Sequence, residues 1–276
     1  MEGGPVGTIL ALIITAATYK AFRDVHFMDR YLFDIDKILI GKQYDRMLSS
    51  GFLHANWIHF GFNMLALLSF SWSLEYEMGW KYFLLIYFAS LIGGNLLALF
   101  IHRNHGDYRA LGASGAISGV IFASILLYPN GEISLFLIPG SIKSWVIGVL
   151  FILISILGIK SQAGNIGHEA HLGGALGGMI LTIIFSPSVL AESPFLIAIL
   201  ILPVLVFLIL LIRNPEMLLV KNYWGKEISS IRTNIPKKSK PKGKTLDELL
   251  EKISKSGIES LTDKERALLE KYRNDF

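Results

Sequence analysis

Seven stretches of this chain are long and apolar enough to cross a lipid bilayer, and nothing else in the sequence restricts the fold as much. A hydrocarbon core takes roughly 17–25 mostly apolar residues per helix. The stretches fall at residues 5–22, 57–74, 82–101, 111–128, 145–159, 167–185 and 195–212, the fifth being a little short of that length. Backbone groups in hydrocarbon find no water, so a span satisfies them internally, and runs of this length do so as helices. The expected fold class is all-α, a polytopic membrane helix bundle. The last stretch is the most aliphatic and holds Pro203, which lipid-embedded helices tolerate. No basic segment precedes the first stretch and no small-residue cleavage pattern follows it, so it is expected to be a genuine span.

The composition agrees: 52% of residues are hydrophobic and only 17% charged, where a soluble domain carries about a quarter charged residues. Most of the 26 Lys and Arg lie after Ile212, so the net charge of +4 belongs mainly to the tail. A basic segment beside a membrane helix meets anionic lipid; membrane lipids are expected partners and nucleic acid is not. The absence of Cys excludes thiol catalysis and Cys-ligated metal.

Between the spans, residues 23–53 form a long polar connection with Asp24, Asp29, Arg30, Asp34, Asp36 and Asp45, expected to be folded. Residues 132–144 are semi-apolar and hold Pro139-Gly140, which suggests an interfacial segment. Beyond Arg213 the run PKKSKPKGK (236–244) is a linker that cannot bury a core. Thr245 with Glu248, and Thr262 with Glu265, fit capping boxes, and Gly257 sits where a helix C-terminal glycine belongs. Leu249, Leu250 and Ile253 are expected to pack on Leu268, Leu269 and Tyr272 in a small helical hairpin without chemistry.

Polar side chains inside spans are costly and therefore tend to be functional or paired. The second span opens on HANWIHFGFN with His54, His59 and Asn63, the fourth on Gly112-Ala113-Ser114-Gly115, and the sixth on His168-Glu169-Ala170-His171 followed by LGGALGG. Gly115, Gly119 and Ala123 form a small-residue stripe, and Gly174 and Gly178 share a helical face with His171. Such faces let backbones approach closely. A contact between them would bring the Ser114 hydroxyl within reach of the His171 imidazole, as a nucleophile and its base require. Read alone, Ser114 fits a small packing residue somewhat better than a nucleophile, whereas His171 fits a reactive group somewhat better than an imidazole bonded to a backbone carbonyl. His59 and Asn63 share a face of the second span and donate hydrogen bonds without a permanent charge, which suits an oxyanion.

Together these segments resemble rhomboid intramembrane proteases over roughly residues 44–178. The resemblance rests on His54, His59 and Asn63 (H-x4-H-x3-N), on Gly112, Ser114 and Gly115 (G-x-S-G), and on Ala170, His171, Gly174 and Gly178 (A-H-x-x-G-x-x-x-G). Arg46 matches the family's loop arginine and Glu75 the acidic residue closing the second span. The resemblance implies a six-helix core (1–186), to which the chain's own pattern adds an extra C-terminal helix (187–213), the basic linker (214–244) and a small soluble helical tail (245–276). It implies Ser114 as nucleophile, His171 as base, and His59 and Asn63 in the oxyanion hole. His54, Arg46, Gly112, Gly115, Gly174 and Gly178 would support them. The activity implied is serine-type endopeptidase cleavage of transmembrane segments of other membrane proteins, with no cofactor or metal, by a multi-pass protein of the cell (inner) membrane. The family orientation puts the N-terminus inside and the tail outside, although the basic residues of the loops argue the reverse. Two departures stand out: Ser118 occupies a position where the family often stacks an aromatic ring on the histidine, and Tyr44-Asp45 precedes Arg46 where tryptophan is frequent.

Four rival readings fare worse. His168 and His171 are three residues apart, whereas the H-E-x-x-H zinc motif needs four. Paired aspartates inside spans are lacking, as are the buried charges of an ion-coupled transporter. An inactive relative that binds membrane-protein clients typically lacks the serine or the histidine, and both are present.

Overall fold

The apolar stretches are all helical. The computed structural model describes residues 4–134, 140–161, 166–214 and 246–274. It begins with α1 (Val6–Arg23). The polar connection that follows is folded as α2 (Val25–Tyr31), β1 (Phe33–Asp34), α3 (Ile35–Leu39), α4 (Arg46–Ser49) and a 3-10 turn (Ser50–Phe52). Next come α5 (Trp57–Met78) and α6 (Trp80–His102), joined by Gly79 alone, whose φ of 85° favours a residue without a side chain. β2 (Arg109–Ala110) leads into α7 (Ser114–Leu127). β3 (Glu132–Ser134) pairs antiparallel with β4 (Ser141–Lys143). Then follow α8 (Ser144–Ser161), α9 (His168–Phe185), α10 (Val189–Glu192) and α11 (Pro194–Arg213). A separate unit holds α12 (Leu246–Ser256) and α13 (Asp263–Asn274).

Among the described residues four helices, α1, α6, α8 and α11, are long and apolar enough by themselves to cross a membrane. The helices α5 and α9 have the length but open on polar side chains. With 14 residues, α7 is shorter than a span; at 1.5 Å per residue it covers about 21 Å of a hydrocarbon core of about 30 Å. It is also the helix most enclosed by protein, every residue buried except Ser114, Ile121 and Leu127. Apolar side chains on the outer helices, such as Leu12 on α1, Leu157 on α8 and Ile212 on α11, are by contrast more than 60% exposed, as lipid-facing residues are.

Glycine faces hold α6, α7 and α9 together. A Cβ at Gly174 would collide with the Gly115 carbonyl, one at Gly178 with Gly119, and one at Gly94 with the Ala170 carbonyl. Lipid tails are as apolar as the side chains they meet, so helix association in a membrane depends on such backbone-to-backbone packing. The first turns of α7 and α9 are thereby brought together.

Polar groups at the helix ends are satisfied in ways that fix the connection ahead of α5. Glu75, 3% exposed, accepts from the backbone N–H groups of Val6 (3.1 Å) and Gly7 (2.6 Å), so a carboxylate of α5 caps the positive end of α1. Arg46 is buried and donates to the carbonyls of Asp29 and Leu32, each at 2.7 Å, and to Gln43 Oε1 at 2.8 Å. Asn95 on α6 donates to Met47 O at 2.7 Å. β1 pairs antiparallel with β2, Asp34 opposite Arg109, and these two side chains form an ion pair at 3.1 Å. Asp45, in the departure before Arg46, pairs with Arg30 at 2.8 Å while Tyr44 is exposed.

In the tail unit Leu249 is fully buried, while Ile253, Leu268 and Leu269 are half-buried. Leu250, expected in the same interface, is instead 49% exposed, because it lies 100° further round α12. Glu265 accepts from Thr262 N at 2.8 Å, one arm of the expected capping box. The linker 236–244, Thr245, Pro139 and the side chains of Glu248 and Tyr272 lie outside the described residues.

Candidate functional site

Ser114 is the first residue of α7 and His171 lies in the first turn of α9. Their side chains meet, Ser114 Oγ to His171 Nε2 at 2.7 Å. With the hydroxyl donating, the imidazole carries its proton on Nδ1 and its free Nε2 is poised to take the serine proton. At the helix start, backbone N–H groups lack intrahelical partners and the dipole is positive, so the same place that presents the hydroxyl also favours a developing negative charge.

His59 reaches this point from α5. A Cβ at Gly112 would lie 2.8 Å from His59 Cε1, 3.0 Å from its Nε2 and 3.6 Å from Ser114 Oγ. Imidazole and hydroxyl therefore both close on Gly112, and the His59 ring takes the space that a side chain there would need. Gly112 also has φ +135°, which L side chains rarely adopt. Its N–H donates to Ser50 O at 3.0 Å, tying the loop ahead of Ser114 to the folded connection. Asn63, 6% exposed and one turn after His59, donates from Nδ2 to His59 O at 2.9 Å, leaving its second amide hydrogen for another acceptor. Gly115 faces the Ala170 carbonyl, which a Cβ there would meet at 3.2 Å.

His54 stands behind these groups, fully buried. Its Nδ1 is 2.9 Å from Thr18 Oγ1, which itself donates to Phe52 O at 3.1 Å, so His54 donates here. Its ring meets His59 edge-on at 5.1 Å between centroids. Burial, with His59 as a lesser cause, pushes the His54 imidazole down to about 3, so it is neutral at physiological pH.

The residues of the HEAH run do not converge. His168 packs its ring against Gly158 of α8. Glu169 turns away from His171 and accepts from Tyr108 Oη and from His102 Nε2 at 3.2 Å. Among the described residues no group of three His, Asp or Glu side chains is arranged to hold a metal ion.

Two features escaped the sequence reading. Ser118, where an aromatic ring was looked for, donates to Ser114 O at 2.7 Å and does not hold the imidazole. A ring comes instead from another helix: Phe151 of α8 lies against His171 at 5.7 Å between centroids, tilted by 38°. α8 is apolar all round, so nothing in its pattern singles out residue 151. The Tyr108–Glu169–His102 cluster joins residues more than sixty positions apart, which sequence spacing cannot foresee.

Comparison with known proteins adds to this geometry. A family model described as Rhomboid domain matches residues 41–188, and one described as a family of unknown function matches residues 232–274. Rhomboid protein 1, mitochondrial, of Saccharomyces cerevisiae is 34% identical over 137 residues, 49% of this chain and 40% of that protein. RHOMBOID-like protein 12, mitochondrial, of Arabidopsis thaliana is 28% identical over 187 residues, 60% of this chain and 55% of that protein. Rhomboid protease GluP of Bacillus subtilis is 35% identical over 133 residues, 48% of this chain and 24% of that protein. The chain thus spans between about a quarter and about half of the length of these relatives.

Proposed function

The chain belongs to the rhomboid family, and from that premise we propose that it is an intramembrane serine endopeptidase with Ser114 as nucleophile and His171 as general base. The observation that carries this reading is the 2.7 Å approach of Ser114 Oγ to His171 Nε2 at adjoining helix starts. As Oγ attacks the carbonyl carbon of a scissile peptide, His171 Nε2 takes the hydroxyl proton. The carbonyl oxygen becomes an oxyanion, which His59 Nε2–H, the free Asn63 Nδ2–H and backbone N–H groups at the start of α7 stabilise. The imidazolium then returns its proton to the leaving amine. The acyl group stays on Ser114 until a water, deprotonated by His171, releases it. His54, Arg46, Gly112, Gly115, Gly174 and Gly178 shape and support this site.

The substrates are transmembrane segments of other membrane proteins. With one end of α7 at a membrane surface, its length of about 21 Å leaves Ser114 inside a hydrocarbon layer of about 30 Å, at the depth of such a segment. A relative named as a protease, GluP, supports the class of reaction. Residues 1–186 are proposed as the protease core, 187–213 as an added helix, 214–244 as a linker and 245–276 as an appendage; separate family matches at 41–188 and 232–274 support a core and an appendage, the second beginning within the proposed linker. The multi-pass protein is proposed to lie in the cell (inner) membrane; of the relatives above, the one from Bacillus subtilis fits that placement and the two named mitochondrial do not.

The test is cleavage of a transmembrane substrate by the purified protein in liposomes. The wild type is expected to cleave with or without strong chelator, and Ser114→Ala not at all. Cleavage by Ser114→Ala, or loss in chelator restored by zinc, would end this reading.

A further inference from the structure

Glu169 is a carboxylate at 5% exposure, two residues before His171, that the proposed chemistry does not use. A carboxylate buried so deeply is costly unless it is hydrogen-bonded. It is: Oε1 accepts from the Tyr108 hydroxyl and from His102 Nε2. The His102 and Tyr108 rings stack on each other, centroids 3.7 Å apart and planes 8° from parallel, so the two donors reach the carboxylate as one rigid unit.

Neither donor belongs to α9. His102 is the last residue of α6, and Tyr108 lies on the loop that runs through β2 to Ser114. Tyr108 is itself fixed: its carbonyl accepts from Ile35 N at 3.3 Å, and its ring meets Phe33 edge-on. From Tyr108 to Ser114 the chain is held by the β1–β2 pairing and by the Gly112–Ser50 bond. The bond between Tyr108 and Glu169 therefore ties together the same two segments whose ends carry Ser114 and His171.

We propose that Glu169, gripped by Tyr108 and His102, is a positioning residue that sets the height and rotation of the first turn of α9, and with it the alignment of His171 on Ser114. The proposal rests on the serine-protease reading. On a helix, a small rotation about the axis carries the ring two residues further along sideways out of the line of the hydroxyl. The glycine contacts, which include Gly115 and Gly94 against the Ala170 carbonyl, set how closely the first turn of α9 approaches its neighbours, and the side-chain bonds of Glu169 add a hold on its rotation. Glutamine keeps an acceptor oxygen at the same place and so retains the clamp, whereas alanine removes it.

The experiment uses the full chain in liposomes with a transmembrane substrate, measuring kcat, KM and the thermal midpoint. The variants are Tyr108→Phe, Glu169→Ala, Glu169→Gln and the double Tyr108→Phe/Glu169→Ala. Tyr108→Phe and Glu169→Ala are expected to lower kcat about tenfold with KM unchanged, less than the roughly hundredfold cost of a full 1 Å misplacement. The double variant should be no slower than Glu169→Ala, since one bond is being removed twice. Glu169→Gln should recover most of the loss. Should Glu169→Ala not fold, Tyr108→Phe, which deletes a single hydroxyl, and Glu169→Gln decide. Tyr108→Phe within about twofold of wild type in kcat, a loss confined to KM, additive effects in the double variant, or a Glu169→Gln as slow as Glu169→Ala would each overturn the clamp while wild-type cleavage upholds the protease. A wild type that does not cleave overturns both.

Discussion

Phe151 of α8 lies against the imidazole of His171 on α9, 5.7 Å between ring centroids, and supplies from a neighbouring helix the ring that Ser118 does not provide from α7. Among the described residues no carboxylate is hydrogen-bonded to the His171 ring itself, so packing against Phe151 helps to hold the imidazole of the proposed dyad. An aromatic pair contributes about 0.5–1.5 kcal/mol beyond its area. Phe151→Leu keeps the apolar volume and loses the ring face; turnover should fall up to roughly tenfold, the equivalent of about 1.4 kcal/mol, with KM little changed. Initial rates over a range of substrate concentration in liposomes check this. An unchanged kcat would mean that the ring only fills space.

Gly178 touches Gly119 so closely that a Cβ has no room. Gly178→Ala must push α9 away from α7 or strain both, and overpacking of this kind costs about 1–3 kcal/mol. The thermal midpoint in detergent should drop. Gly61, on α5, has nothing within reach of a Cβ, so Gly61→Ala is the control and should leave the midpoint within error. Equal midpoints for both variants would argue against glycine packing as the main tie between these helices.

The bundle was readable because hydrocarbon imposes length and apolarity on every span, and those are properties of short windows. The meeting of Ser114 and His171 was readable for a related reason: two glycine faces imply close backbones, and each carries its reactive residue at the helix start. What pattern cannot convey is which side chains arrive from elsewhere. Phe151 sits on a helix that is apolar on all sides, and Glu169 reads as the middle of a failed zinc motif until Tyr108 and His102 are found beside it. The connection 23–53 was expected to fold, but its helices are too short to show a period; buried Arg46, bonded to three oxygens of that connection, is what organises it.

His54 gives a pH dependence with a definite sign. Its folded-state value of about 3 lies below the ordinary imidazole value of 6.5, so the unfolded chain binds the proton more readily. The stability gained from keeping it neutral is complete above pH 6.5 and is lost as pH falls from there toward 3. The slope from one such group is at most about 1.4 kcal/mol per pH unit. Thermal midpoints of wild type should fall across that window. His54→Asn, which keeps a donor for Thr18 but does not titrate, should show a flatter fall. Parallel curves for the two proteins would remove His54 as the source.

The proposed dyad and its proposed oxyanion donors should respond differently to loss. In the proposed reaction the Ser114 hydroxyl is a poor nucleophile until His171 takes its proton, so the two would act as one unit. Ser114→Ala and His171→Ala should each abolish detectable cleavage, and the double variant should be little worse than either, because the second change removes a partner already idle. Asn63 forms no bond to the substrate carbon. Its free amide hydrogen strengthens its interaction only as the oxyanion develops, and removal of one such donor costs about 10²–10³ in turnover. Asn63→Ala should therefore be slow but measurable, with the loss in kcat. His59→Ala should lose a similar factor and be less stable as well, since its ring also packs on His54 and fills the gap beside Gly112. Initial rates and thermal midpoints for the variants, measured side by side in liposomes, separate the two kinds of residue. An Asn63→Ala protein as fast as wild type would take Asn63 out of the oxyanion hole, and a His171→Ala protein with measurable turnover would require another base.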